Sequence, residues 1–231
     1  MKQIPLPISL PERAIFDNYV IGNNQLLVSS LQNLFTAGVQ EQQILLWSRN
    51  SYGKSHLLSS VCHLAANLDK QIAYVPMRDL AASDPAILDG MQSLDAVCID
   101  DLDLITHDRT WATQLFALIN ACRDQNTPLV LSSTQHPRDL ELVFEDLRSR
   151  LLWGAVYHLK RLSDEDLLAS LFSRARSKGL EFPVEAADYL LKHFQRNTAA
   201  LLEFLDQLDQ ESLSQKRRIT IPLIKQVIQQ I

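Results

Sequence analysis

Hydrophobic and polar positions follow two regimes along this chain. Short apolar runs at 44–47, 72–75, 96–99, 129–131 and 155–159 are too short for helices and are bounded by polar residues. Between most of them lie longer stretches of helical period, at 54–68, 111–124 and 137–152, with another at 25–37 ahead of the first run. Short buried runs alternating with helices predict crossover connections, hence an α/β domain with a parallel sheet covered on both faces. After Ser163 the strand pattern stops. Four helical segments follow, near 164–178, 184–195, 198–213 and 221–231, with Ser163 and Asp166 spaced as an N-cap pair. Pro183 and Pro222 stand at helix starts, where a missing N–H costs nothing. The expected division is an extended tail at 1–12, an α/β domain at 13–162 and a small all-helical domain at 163–231.

The composition narrows the class. Of 231 residues, 46% are hydrophobic and 21% charged, which fits a globular chain and excludes a mainly disordered one. The net charge of −5 is spread over both domains, so neither has the basic footprint of a dedicated DNA-binding domain, and no direct sequence-specific DNA binding is expected. The short basic run Lys216-Arg217-Arg218 reads as a solvated turn. No stretch of about 18 apolar residues offers a membrane span. Cys62, Cys98 and Cys122 lack metal-ligand spacing and suit a reducing compartment, so a cytoplasmic location is expected.

Three groups of residues carry candidate chemistry. Ser48-Arg49-Asn50-Ser51-Tyr52-Gly53-Lys54-Ser55 joins a strand to a helix and reads G-x-x-x-x-G-K-[ST] with Ser48 for the first glycine. Such a loop turns N–H groups inward at a helix N-terminus, a cradle for phosphates, with Lys54 reaching the β- and γ-phosphates and Ser55 a Mg²⁺. Ser48 raises the question of whether its position needs positive φ. About 45 residues on, 96–99 runs into Asp100-Asp101, where Asp100 could orient water on Mg²⁺ and Asp101 the attacking water. Asp103 and Asp108 read as loop charges. Third, Arg148-Ser149-Arg150 ends a helical stretch, and a rigidly held guanidinium can stabilise charge developing on a transferring phosphoryl group.

Together these motifs resemble the AAA+ ATPase domain of the bacterial replication initiator DnaA, from Phe16 onward. The resemblance implies a P-loop AAA+ module, a five-stranded parallel sheet with helices on both faces, followed by a helical lid. It implies that Phe16-Asp17-Asn18-Tyr19-Val20 helps hold the nucleotide base. Ser51, Tyr52, Gly53, Lys54, Ser55 and His56 would hold the phosphates, Asp100-Asp101 would be the paired Walker B acids, and Thr134 falls at sensor 1. Glu145-Asp146-Leu147-Arg148-Ser149-Arg150 with Trp153-Gly154 resembles the arginine-finger segment and places the finger at Arg150. At Asn197-Thr198-Ala199-Ala200 the family's sensor 2 arginine is replaced by Ala199, which puts the chain's own hydrolysis in doubt and favours ADP over ATP in its pocket, with or without Mg²⁺.

No counterpart of the initiator's DNA-binding domain is expected in this reading. At the other end, Gln3-Ile4-Pro5-Leu6-Pro7-Ile8 is similar to the peptide by which bacterial proteins bind the β sliding clamp, with Gln3, Ile4, Leu6, Pro7 and Ile8 as contacts and the prolines lowering the ordering cost. The expected function is a regulator of replication initiation that binds DNA-loaded clamp and promotes hydrolysis of DnaA-bound ATP with Arg150 in trans, with weak or no turnover of its own. Homo-oligomers are compatible with this reading. Its rivals are an autonomous ATPase of the helicase-loader kind and a non-catalytic adaptor that sequesters DnaA.

Overall fold

The computed structural model describes residues 14–36, 38, 42–194, 198–215 and 218–229. In chain order the elements are α1 (Gln25–Gln32), β1 (Gln43–Trp47), α2 (Lys54–Asn67), β2 (Ile72–Pro76), α3 (Met77–Leu80), β3 (Ala96–Asp100), α4 (Arg109–Gln125), β4 (Leu129–Ser133), α5 (Glu145–Leu151), β5 (Ala155–His158), α6 (Asp164–Ser177), α7 (Val184–His193), α8 (Thr198–Gln215) and α9 (Ile221–Ile228). The chain divides into two compact units. One comprises 1–19, 24–50 and 54–160, and the other comprises 20–23, 51–53 and 161–231.

In the first unit, the described strands form one five-stranded sheet in the order β2-β3-β4-β1-β5, every pair parallel. Every residue of β3 and β4 is buried, because helices cover both faces of the central strands. Leu45, Val97, Ile99, Leu129 and Leu131 point to one face, where they cluster with Trp111, Leu115, Leu118 and Ile119 of α4 and Leu147 and Leu151 of α5. Strand alternation sends Ile44, Leu46, Cys98 and Val130 to the other face. There Leu57, Leu58, Val61, Cys62 and Ala65 of α2 are buried, with Cys62 hydrogen-bonded to Cys98. All three cysteines are free and buried.

The expected helix at 137–152 forms only over α5. Leu140, Val143, Phe144, Leu147 and Leu151 are spaced like a helical stripe, yet the first three reach the core from an irregular segment. The carbonyls of Pro137 and Leu140 accept hydrogen bonds from the Arg148 guanidinium, so they are satisfied without a helical ladder. Asp108, read from the sequence as a loop charge, is instead the N-cap of α4, accepting from the N–H groups of Thr110 and Trp111.

The second unit has its own core, built from Leu167, Leu171, Leu190, Leu201, Phe204, Leu205, Leu208, Ile224 and neighbours. Ser163 and Asp166 form a reciprocal capping box at the start of α6. Asp206 of α8 receives Arg174 at 3.1 Å and Lys178 at 2.9 Å, tying α6 to α8. Among the described residues no helix is long and apolar enough to cross a membrane. Gln3, Ile4, Leu6, Pro7 and Ile8 lie outside the described residues, as does Asn197; Ala199 falls in the first turn of α8, its side chain undescribed.

Candidate nucleotide site and arginine segment

Parallel strands bring their C-terminal ends together, and that edge collects the acids and the lysine. The turn from β1 to α2 runs through Ser48-Arg49-Asn50-Ser51-Tyr52-Gly53, with Gly53 at φ 101°, a conformation that suits only glycine. Ser48 is not among the positive-φ residues, so its Cβ causes no backbone strain and the concern raised by its replacement of glycine falls away. It is fully buried and its hydroxyl donates to the Asn50 carbonyl at 2.8 Å, closing the turn. Lys54 is buried, with Nζ donating to the Ser48 carbonyl at 3.0 Å. Burial pushes its ammonium pKa down, against the opposing charges of Asp101, Asp100 and Asp103. Ser55 follows in the first turn of α2.

Asp100 ends β3, 3% exposed. Its two oxygens accept from the Ser132 hydroxyl and from the Tyr74 hydroxyl, the latter at 2.9 Å. Burial and the Asp100 charge both hold Tyr74 as the neutral phenol. Asp101 adopts left-handed backbone at φ 54°, and its N–H donates to the same Ser132 oxygen at 2.9 Å. Its carboxylate, 5% exposed, receives Arg78 Nε at 2.6 Å. Burial pushes the Asp101 pKa up and Asp100 adds to this, while Arg78 and Lys54 pull it down. Thr134 follows β4, its N–H and hydroxyl donating to the two oxygens of Asp103 at 2.9 and 2.7 Å. Asp103, taken from sequence as a loop charge, is therefore the hydrogen-bond partner of Thr134.

Tyr19 lies 5.5 Å ring to ring from His56, and Val20 follows it, partly buried. Burial raises the Tyr19 hydroxyl pKa and lowers that of the His56 imidazole. His56 Nε2 lies 3.0 Å from the Ile15 carbonyl, an acceptor only, so Nε2 carries the proton and pins the backbone at Ile15, just ahead of the 3-10 turn at Phe16–Asn18, against α2. Sequence reasoning missed Tyr74, Arg78, Asp103 and Ser132, all partners across strand ends; for Ser132, its place at the end of an apolar run was the available signal.

Arg150 lies at the other edge of the sheet. Gln43 Nε2, at the start of β1, donates to the Arg150 carbonyl at 2.9 Å, whereas the phosphate loop leaves the end of β1. Four strand steps separate the two ends by about 13 Å. The Arg150 guanidinium stacks 3.8 Å from the Trp153 ring, and its buried Nε has no hydrogen-bond partner. Arg148 differs: its guanidinium is held by Glu145, Pro137 and Leu140.

A sheet of this order with its lysine and acids at one edge, followed by a helical unit, is the architecture of an AAA+ nucleotide-binding module. The family model for the bacterial DnaA ATPase domain matches residues 10–158, well over half the chain, and the chain belongs to this family. The model for the lid domain of Hda matches residues 164–228, so the lid is of Hda type. Among solved structures, domain III of the replication initiation protein DnaA from Thermotoga maritima is similar, at 19% identity and TM-score 0.81, covering 96% of this chain and 98% of that one. AMPPCP-bound DnaA from Aquifex aeolicus gives 20% identity and TM-score 0.76, covering 87% and 67%. The RuvB Holliday junction branch migration motor of T. maritima gives 17% and 0.68, covering 90% and 68%. These likenesses establish the fold.

The donor set fits a nucleotide polyphosphate: a buried lysine after a glycine turn, a helix N-terminus, and two buried carboxylates at the same end of the sheet. Ser55 and Asp100 would hold Mg²⁺ together with phosphates. Among the described residues no cluster of three or more His, Cys, Asp or Glu forms a metal site by itself. A bound nucleotide would supply the polyanion; the residues supply its charge balance and orientation.

Proposed function

We propose that this protein is a replication regulator that docks on ATP-loaded DnaA and promotes hydrolysis of DnaA's ATP with Arg150. The observation that carries this reading is the position of Arg150. It sits at the edge of the sheet remote from its own Lys54, with a guanidinium that lacks an anionic partner among the described residues. Such an arginine cannot serve its own nucleotide and suits one presented by a second AAA+ module. Family membership and the Hda-type lid supply the partner class. Arg150 would touch the γ-phosphate, where the planar fork can contact two oxygens, a contribution of ~10³–10⁵ in rate in GTPase systems.

The chain's own pocket, by this reading, holds an adenine nucleotide mainly as structure. Ala199 removes a cation from the lid, so ADP binds at least as well as ATP. The 3–8 segment tethers the protein to the sliding clamp, and the shared DNA raises the effective concentration of DnaA. Turnover of DnaA-bound ATP, measured with clamp-loaded DNA, tests the assignment. Arg150→Ala and Arg150→Lys lose stimulation while nucleotide and clamp binding persist; Arg148→Ala weakens it less, through the 137–144 segment it braces. Full stimulation by Arg150→Ala would overturn the reading. Loss in Arg148→Ala with normal Arg150→Ala would reassign the finger.

A further inference from the structure

Trp153 is 39% exposed, yet neither face of its indole is open. The guanidinium carbons of Arg123 and Arg150 each stand 3.8 Å from its ring centre. Two guanidinium groups at that height cannot share one face without clashing, so the indole is clasped between them. Three segments converge to make this stack: the last turn of α4, the last turn of α5 and the turn entering β5. Gln43 fixes the backbone beneath it by donating to the carbonyls of Arg150 and Leu151 at 2.9 and 3.3 Å. Gly154 permits the approach, because a Cβ there would collide with the Gln43 carbonyl.

The electrostatics of the stack are unusual. Like charges repel, and among the described residues neither guanidinium has an acidic partner. What offsets the repulsion is the attraction of each cation to the ring face, which strengthens as the pair is desolvated. Phe116, 5.2 Å from Arg150, adds a second aromatic contact. A cavity of about 530 Å³ opens beside the stack, lined by Arg123, Trp153, Gln43, Asn126 and Thr127 among others. A free surface arginine loses rotamer freedom on making a specific contact. Here that freedom is already restricted for Arg150, while its Nε remains without a hydrogen bond.

We infer that Trp153 and Arg123 are positioning residues for Arg150: Trp153 fixes the plane of its guanidinium, and Arg123 holds the opposite face of the indole while adding a second positive charge. The edge so formed suits a polyanion, the polyphosphate of a nucleotide carried by the partner. This inference rests on the reading of Arg150 as the trans finger and adds the device that aims it.

The test compares Arg150→Ala, Trp153→Ala, Trp153→Phe and Arg123→Ala in DnaA-bound ATP turnover, titrating each variant to saturation with clamp-loaded DNA. Misplacing a catalytic group by an ångström costs up to ~100-fold, so Trp153→Ala lowers the saturating rate about tenfold with half-saturation moved less than about twofold. Trp153→Phe, which keeps an aromatic face, recovers most of the rate, and Arg123→Ala falls between the two. A wild-type rate for Trp153→Ala beside a dead Arg150→Ala overturns the positioning role and leaves the finger standing. Full activity of Arg150→Ala overturns the finger itself. A shift in half-saturation alone, or failure of Trp153→Phe to recover the rate, assigns Trp153 to docking or folding and overturns the inference. If Trp153→Ala does not fold, the Trp153→Phe and Arg123→Ala rates decide: a wild-type rate for Arg123→Ala then rejects it.

Discussion

Arg78 and Asp101 form an ion pair at 2.6 Å between a largely exposed guanidinium and a carboxylate buried at the mouth of the phosphate loop. Asp101 stands at the position expected to orient an attacking water, but its Oδ2 is committed to Arg78. The left-handed backbone of Asp101, about 1–2 kcal/mol less favourable than right-handed for most residues, fixes that direction. Arg78→Ala therefore frees the carboxylate, and single-turnover hydrolysis of the protein's own bound ATP should rise about tenfold, less than the ~10²–10⁴ of a fully positioned general base. The same substitution removes a charge that lowers the Asp101 pKa, so that pKa climbs further. The variant's hydrolysis should fall as pH drops through it, at higher pH than an ordinary carboxylate would give. Unchanged hydrolysis in Arg78→Ala would mean that the pair does not limit turnover.

Thr134 depends on Asp103 for both its N–H and its hydroxyl. Asp103→Ala leaves two partly buried donors unsatisfied, a loss of about 1–3 kcal/mol. Urea unfolding should show this, and calorimetry should show weaker nucleotide binding as Thr134 loses its orientation. Asp103→Asn, which keeps one acceptor, should lie between the two. Equal stability of Asp103→Ala and the parent protein would show that other contacts place Thr134.

The difference between Asp103 and Lys54 marks how far the sequence could be read. The central strands β1, β3 and β4 were legible because burial on both faces makes each a nearly continuous apolar run, the edge strands β2 and β5 from shorter apolar runs that are only partly buried, and the glycine-lysine turn because its chemistry is local. Asp103–Thr134, Tyr74–Asp100 and Arg78–Asp101 join residues 23 to 31 positions apart. No periodicity encodes such pairs; they exist only once parallel strands align their ends. The 137–144 segment misled for the opposite reason: its apolar spacing imitates a helix, while an arginine distant by 8 and 11 positions satisfies its carbonyls. Asp108 could have been recognised, since an aspartate directly before a helical pattern is a cap. The Arg123–Trp153–Arg150 stack had no local signal beyond two arginines and an aromatic.

Residues 3–8 carry the proposed clamp contact. Leu6→Ala combined with Ile8→Ala should abolish co-elution with the sliding clamp without altering the melting temperature, because the proline spacing at positions 5, 7 and 11 reads as an extended tail ahead of the α/β domain. Retained co-elution would assign clamp binding to another surface.

In the lid, Asp206 bridges α6 and α8 through Arg174 and Lys178, with Lys178 also bonded to Asp209 at 3.2 Å. Partial burial alone would raise the Asp206 pKa, but hydrogen bonds from Lys178 and Arg174 outweigh it and hold the carboxyl below its usual range. The Lys178 ammonium is correspondingly raised, chiefly by its bond to Asp206. A depressed folded-state pKa means that the stabilisation is complete above the unfolded value of about 3.9 and is lost as pH falls through the lower, folded one. Asp206→Asn should therefore cost about 1 kcal/mol at pH 7, the scale of a partly exposed charge-assisted pair. The gap from the parent should start to close as pH falls below about 4 and vanish once pH is below the lower folded-state pKa, where the parent's carboxyl is protonated in both states. Denaturant unfolding followed by circular dichroism between pH 3 and 7 measures both curves. A gap that stays constant across that range would show that the Asp206 charge contributes nothing and that any loss comes from packing.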